Sequence, residues 1–87
     1  MELKDTVQLM LSNDYKERFK AEYWQTKVRY ERLKKTTTML EADGIKNMTP
    51  AKGLDGTPFQ LLRDQQSVMG DYLHTLELRA VIERIEL

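Results

Sequence analysis

Arginine, lysine and aromatic side chains recur together along this chain in a pattern that suits noncovalent capture of an anionic, ring-bearing ligand. Tyr15, Tyr23, Trp24 and Tyr30 interleave with Lys16, Arg18, Lys20, Lys27, Arg29 and Arg32. Rings offer stacking faces, and guanidinium or ammonium groups beside them pair with phosphate. Further along, Arg63, Gln65, Gln66, Tyr72 and Arg79 interrupt or border apolar stripes. Tyr23, Trp24, Lys27, Arg63, Tyr72 and Arg79 are therefore the candidate ligand-binding residues. Several of these residues also have a structural reading, and the cations of the first helix read as a solvated face. Tyr23 and Tyr30 fall where a helix seam would bury them, Trp24 is an interface anchor or a base-stacking wall, and Gln66 in a seam would fix register. Arg79 falls on an apolar stripe, where it must pair with a carboxylate of a neighbouring subunit or with a bound anion, because an unpaired buried charge is costly.

The means for covalent chemistry are sparse. There is no cysteine, the two serines are Ser12 and Ser67, and the single histidine, His74, sits in a helical context as a surface residue. No Glu-x-x-His repeat of the kind that builds di-metal helical bundles is present, and no phosphate loop, dinucleotide fingerprint or zinc spacing occurs. The sequence predicts no enzyme, no metal and no cofactor.

Size and charge narrow the classes further. The chain has 87 residues, with 14 Lys+Arg balanced by 14 Asp+Glu and 40% apolar side chains. That is one domain with a core supplying only a few kcal/mol, and without disulfides the remaining staple is self-association. No run approaches the ~18 apolar residues of a spanning helix, and Met1-Glu2-Leu3-Lys4-Asp5 lacks the layout of a signal peptide, so a soluble intracellular protein with no membrane partner is expected. Zero net charge disfavours a general nucleic-acid binder, for which Lys27, Arg29, Arg32, Lys34 and Lys35 would be the contact residues.

The elements that must position these residues are helical. Asp14 followed by Glu17 suits a capping box, and Phe19, Tyr23, Thr26, Tyr30, Leu33, Thr37 and Leu40 recur at alternating spacings of four and three, which predicts a helix over 14–42. Thr57-Pro58-Phe59-Gln60 offers an N-cap hydroxyl, a proline at the first helical position and a box-closing Gln. Phe59, Leu62, Gln66, Met69, Leu73, Leu76, Ala80 and Leu87 then predict a helix over 58–87. Residues 43–57 hold three of the four glycines, Pro50, and the pairs Asp43-Gly44 and Asp55-Gly56, and read as a loop. Leu3, Val7, Met10 and Leu11 share a face of a short helix over 3–11, placed to cover the end of the last helix near Val81 and Ile85. The predicted fold is all-α: a short N-terminal helix and a long antiparallel two-helix hairpin in one domain. A second stripe on the last helix, Leu61, Val68, Tyr72 and Ile82, with Leu78, Val81 and Ile85 at its end, needs burial of its own. That stripe, with Gly70 permitting close approach in mid-helix, predicts a homo-oligomer through the last helix.

Leu61-Leu62-Arg63-Asp64-Gln65-Gln66, Met69-Gly70-Asp71-Tyr72-Leu73 and Leu76-Glu77-Leu78-Arg79-Ala80, with the helix start Tyr15-Lys16-Glu17-Arg18-Phe19, resemble the short helical-hairpin proteins of tailed phages and prophages, including crAss-like phages. The hairpin is also distantly similar to the helical domain of phage anti-CBASS and anti-Thoeris sponges, the likeness being carried by the short N-terminal segment, the two long helices, and Leu76, Arg79, Ala80 and Val81. The interhelical loop is longer than in that group, and the Gln and Gly of the last helix do not keep that group's distance from the Arg. The resemblance implies oligomers, often hexamers, that hold a cyclic oligonucleotide or cyclic ADP-ribose signal between subunits in the host bacterial cytoplasm, without turnover. Arg63, Arg79 and Lys27 would then meet phosphates, and Tyr23, Trp24 and Tyr72 would meet base or ribose. The alternative is a protein-interaction module that inhibits a host protein such as a CRISPR nuclease, or a small assembly factor.

Overall fold

A computed structural model describes residues 1–87. Its order is a 3-10 turn at Leu3–Thr6 leading into the one-turn helix α1 (Val7–Met10), the long helix α2 (Tyr15–Lys46), and α3 (Phe59–Glu83). At ~1.5 Å per residue the 32-residue α2 is about 48 Å long, and it sets the long axis of a 50 × 25 × 18 Å molecule. There are no strands, only a single bridge between Leu54 and Thr57 in the loop. No helix is long and apolar enough to cross a membrane.

The heptad seam holds the hairpin. Phe19 and Tyr23 from α2 pack with Leu73, Leu76 and Ala80 from α3, joined by Ile85, and Trp24 and Tyr30 border this core. The polar seam residues bond to each other: the Thr37 hydroxyl donates to Gln66 Oε1 across the interface. That contact gives Gln66 the register role its position predicts.

Several boundaries depart from the sequence reading. Asp43-Gly44 is not a turn, since α2 runs on to Lys46. Gly44 lies buried against the returning loop, where a Cβ would stand 2.9 Å from the Thr49 carbonyl oxygen. Asp55-Gly56 is a turn as predicted: both residues take positive φ, 50° and 81°, as a type I′ turn requires. Asp14 caps α2 by accepting from the Lys16 backbone N–H at 2.9 Å, while its own N–H donates to Ser12 Oγ at 3.0 Å in place of a box closed by Glu17. Pro58, and not Thr57, occupies the N-cap of α3, and Gln60 turns forward to Asp64 at 2.8 Å.

The end of α3 comes earlier than residue 87. Arg84 takes a left-handed conformation, φ 58° and ψ 48°, and the Ile85 N–H returns to the Ala80 carbonyl at 2.8 Å. This termination folds Ile85 into the core and leaves Leu87 exposed. The N-terminal segment also sits elsewhere than expected. It packs on α2 alone, on the side turned away from α3, where Ala21 and Thr6 are buried and the Gln25 amide donates to the Thr6 hydroxyl at 3.0 Å. It therefore does not cover Val81, which is 79% exposed.

Candidate functional site

Geometry divides the six candidate ligand residues. Arg63 and Arg79 are separated by about 24 Å along α3 and about 160° around it, by the rise and turn of an α-helix. They cannot hold one compact ligand within a single protomer. Arg79 and Tyr72 lie on one flank of the hairpin seam, and Arg63, Lys27 and Trp24 lie toward the other.

On the Arg79 flank the polar groups satisfy one another. The Arg79 guanidinium donates to Glu83 Oε2 at 3.0 Å and to the Tyr15 hydroxyl at 2.7 Å, and Tyr15 in turn donates to Glu83 Oε1 at 2.8 Å. The guanidinium carbon stands 5.1 Å from the centroid of the Phe19 ring, a cation–π contact. The carboxylate partner required for Arg79 thus comes from its own helix, one turn on, and the side chain is half exposed instead of buried. Hydrogen bonding from Tyr15 and from Arg79 holds the Glu83 carboxyl below its ordinary range, and the bonds to Glu83 raise the Arg79 guanidinium and the Tyr15 phenol, the latter against the opposing pull of Arg79. Tyr72, also on this flank, donates to Glu22 at 2.9 Å, and partial burial followed by that bond pushes its phenol up. The apolar stripe beside it stays open to solvent: Val68 is 67% and Ile82 79% exposed, with Leu61 and Leu78 exposed as well.

Tyr23 belongs to the core. Its ring is buried, it meets Trp24 edge to face at 5.2 Å, and its hydroxyl donates to Glu77 Oε2 at 2.7 Å. Burial and the bond to Glu77 push its phenol up to about 12. The folded-state pKa lies above the unfolded value, so the stability this phenol contributes is complete below pH 10 and is lost as pH rises through about 12. Melting followed by circular dichroism should therefore fall between pH 10 and 12. Tyr23→Phe should cost about 1–2 kcal/mol at neutral pH through the stranded Glu77 acceptor and flatten that fall. Identical alkaline profiles for the two proteins would show that Tyr23 is not the titrating group.

The opposite flank carries the larger cavity. A groove of about 330 Å³ runs along the hairpin between Tyr30 of α2 and Arg63, Gln66, Ser67, Gly70 and Asp71 of α3. Gly70 makes room for it: a Cβ there would stand 3.3 Å from Cε1 of Tyr30, so the ring lies against bare helix backbone. The close approach predicted for Gly70 is thus made by a side chain of the same protomer. A glycine in mid-helix costs about 1 kcal/mol relative to alanine, and here it keeps the groove open. Arg63 donates from Nη1 to Glu41 Oε2 at 2.8 Å, both side chains being about half exposed. Lys27 pairs with Glu31 at 3.3 Å on its own helix. Exposed pairs of this kind are worth under about 1 kcal/mol, so an incoming anion can displace them. His74 is on the surface, as read from the sequence.

Of the groove residues, only Arg63 is marked by the sequence as a ligand contact. Tyr30 and Gln66 fall in the seam pattern, and Ser67 and Asp71 carry no signal alone. The i, i+4, i+7 spacing of Arg63, Ser67 and Gly70 was the available clue, since it places a cation, a hydroxyl and a gap on one helix face. A second cavity of about 130 Å³ lies under the loop, between Asp43, Asn47, Thr49 and Lys52. No group of three or more His, Asp and Glu side chains converges to hold a metal ion.

The family model described as Sequestin matches residues 13–82, which takes in α2, the loop and nearly all of α3. No curated protein and no solved structure matches the chain. The matched span covers most of the sequence, so the chain belongs to the Sequestin family. This membership agrees with the resemblance to nucleotide sponges carried by the two long helices.

Proposed function

Proceeding from that membership, we propose that this chain captures a small nucleotide signal of the cyclic oligonucleotide or cyclic ADP-ribose class and holds it without turnover, as a phage protein acting against host defence in the bacterial cytoplasm. The observation that carries the reading is the Sequestin match over 13–82, whose name denotes sequestration. The side chains are consistent with it. Cations held in weak exposed pairs can exchange a carboxylate for a phosphate.

Copies associate, in this proposal, through the open stripe of α3. Leu61, Val68 and Ile82 are exposed there, and an apolar face of this extent on so small a chain calls for a covering partner. Tyr72 and Arg79 stand on that stripe, so their role is at the contact between copies. Arg63 is the phosphate partner; Lys27 and Trp24 lie on the same side of the hairpin but about 21 and 26 Å along α2 from Glu41, which Arg63 meets, so they do not share its ligand within one protomer.

Calorimetry against a panel of cyclic dinucleotides, cyclic trinucleotides and cyclic ADP-ribose isomers tests the capture. Expected is a dissociation constant in the micromolar range or tighter for at least one member, with that ligand recovered chemically intact after heat denaturation of the protein. Absence of heat at micromolar concentrations across the panel, or a cleaved ligand, would contradict the reading. The second reading, inhibition of a host protein, is favoured by exposed Met39, Ile45 and Met48 near the tip of the hairpin. A stoichiometric protein partner from host lysate would support it.

A further inference from the structure

The groove beside Tyr30 has a chemistry more specific than anion capture, and we infer that it is the site for one nucleotide unit, with phosphate at Arg63 and ribose or base edge at Ser67, Gln66 and Asp71. The inference rests on the sequestration reading above and adds to it the place and the class of ligand.

Its first support is an uneven distribution of satisfied hydroxyls. Of the four tyrosines, Tyr15, Tyr23 and Tyr72 each donate to a glutamate at 2.7–2.9 Å. The Tyr30 hydroxyl, in the groove, makes no bond to the protein, although the side chain is half buried. Its neighbours share this state. Gln66 accepts from Thr37 through Oε1, and its amide N–H groups make no bond. Asp71 accepts only through its backbone carbonyl, from Thr75, and its carboxylate has no partner. The Ser67 hydroxyl is also unused. One cavity thus gathers a phenol, an amide donor, a hydroxyl and a carboxylate, all without partners in the protein.

The second support is the order of charge. From Arg63 to Asp71 is about 12 Å along α3 at the helical rise, comparable to one nucleotide from phosphate to base edge. A cation stands at one end and an acceptor-only carboxylate at the other. Arg63 has N–H groups left over after its single bond to Glu41, enough to fork onto phosphate oxygens. The Asp71 carboxylate repels a second phosphate and accepts from a ribose diol or from base N–H groups. Between them the Tyr30 ring, seated against Gly70, supplies the apolar wall. A volume of about 330 Å³ lies at the small end of ligand pockets and suits one such unit.

The test is a proton–nitrogen NMR titration of the full chain with 5′-AMP, 5′-GMP, cyclic di-AMP, cyclic di-GMP and inorganic phosphate. Expected are shifts at the Gln66 side-chain amide and at the Ser67, Gly70 and Asp71 backbone for at least one nucleotide. Arg63→Ala, which removes the phosphate partner, and Ser67→Leu, which fills the groove from an exposed position, should each weaken binding tenfold or more while helicity is retained. Lys4→Ala, a charge removal on the exposed N-terminal turn, should leave it unchanged. Binding of a cyclic dinucleotide alone, lost in the same two variants, supports the site and identifies the cyclic form as its source. If a nucleotide binds but both variants keep wild-type affinity, the groove assignment is overturned while sequestration stands. If inorganic phosphate binds as tightly as the nucleotides, the ligand class is overturned. No shift with any probe at millimolar concentration overturns the groove as a nucleotide site, while capture of a cyclic trinucleotide or a cyclic ADP-ribose isomer is decided separately by the calorimetry above.

Discussion

Leu73→Asp is expected to abolish cooperative folding. Leu73 is 4% exposed and sits in the middle of the core with Phe19, Tyr23 and Leu76. The substitution removes about 1.5–3 kcal/mol of apolar burial. It also places a carboxylate where no cation of the core can reach it, and an uncompensated buried charge costs about 3–5 kcal/mol. The sum exceeds the roughly 3–5 kcal/mol that a single core of this size supplies. Far-ultraviolet circular dichroism should show most of the helical signal lost and no cooperative melt. A variant that melts like the wild type would mean that the seam does not run through Leu73 and that the register of the hairpin is different.

Gly53→Ala is the second large effect, and it acts through the loop. A Cβ on Gly53 would fall far inside van der Waals contact distance of the Thr57 carbonyl oxygen and 3.1 Å from Pro58 Cα. Both obstacles are backbone, so the chain itself must move. Thr57 cannot yield freely, since Leu54 and Thr57 exchange backbone hydrogen bonds of 3.0 and 2.9 Å around the Asp55-Gly56 turn. Pro58 then opens α3. The expected cost is about 1–3 kcal/mol, as for other insertions into a filled space. It should appear as a lowered melting temperature and as amide shifts concentrated at residues 53–60. Gly56→Ala meets no steric contact but must hold φ at 81°, so it should cost less than the clash at Gly53. Equal stability of Gly53→Ala and wild type would show that the loop is not folded as described.

Much of the fold was legible because one rule repeats. Every seam position from Phe19 to Leu40 is buried or half-buried, and so is every one from Phe59 to Ala80. The seam failed at Leu87, since the left-handed Arg84 ends the helix first and brings Ile85 inward instead. Asp43-Gly44 misled because a glycine signals equally a turn and a place where a helix is approached closely, and only the returning loop decides between them. The side chosen by the N-terminal segment was set by Ala21, a small residue whose face no apolar periodicity marks.

The site was less legible than the fold. Residue types on α2 and α3 identified cations and rings, but their partners are mostly set across the hairpin. Glu41 meets Arg63, Glu22 meets Tyr72 and Glu77 meets Tyr23, and each pairing depends on the antiparallel register. Lys27–Glu31 and Arg79–Glu83 are the exceptions. Each pair stands four residues apart on one helix, and spacing alone could have identified it. The groove needed both helices, because Tyr30 and Gly70 become neighbours only when the hairpin closes.

Capture without turnover by associated copies of the chain, as proposed above, is put to the test by native mass spectrometry. The protein is sprayed alone and with a mixed panel of cyclic nucleotides and cyclic ADP-ribose isomers, so that subunit number and bound mass appear in one spectrum. The predicted result is a closed oligomer carrying a fixed number of ligands, each at its unmodified mass. A monomer or oligomer that stays bare across the whole panel, or that returns a hydrolysed ligand, would contradict it.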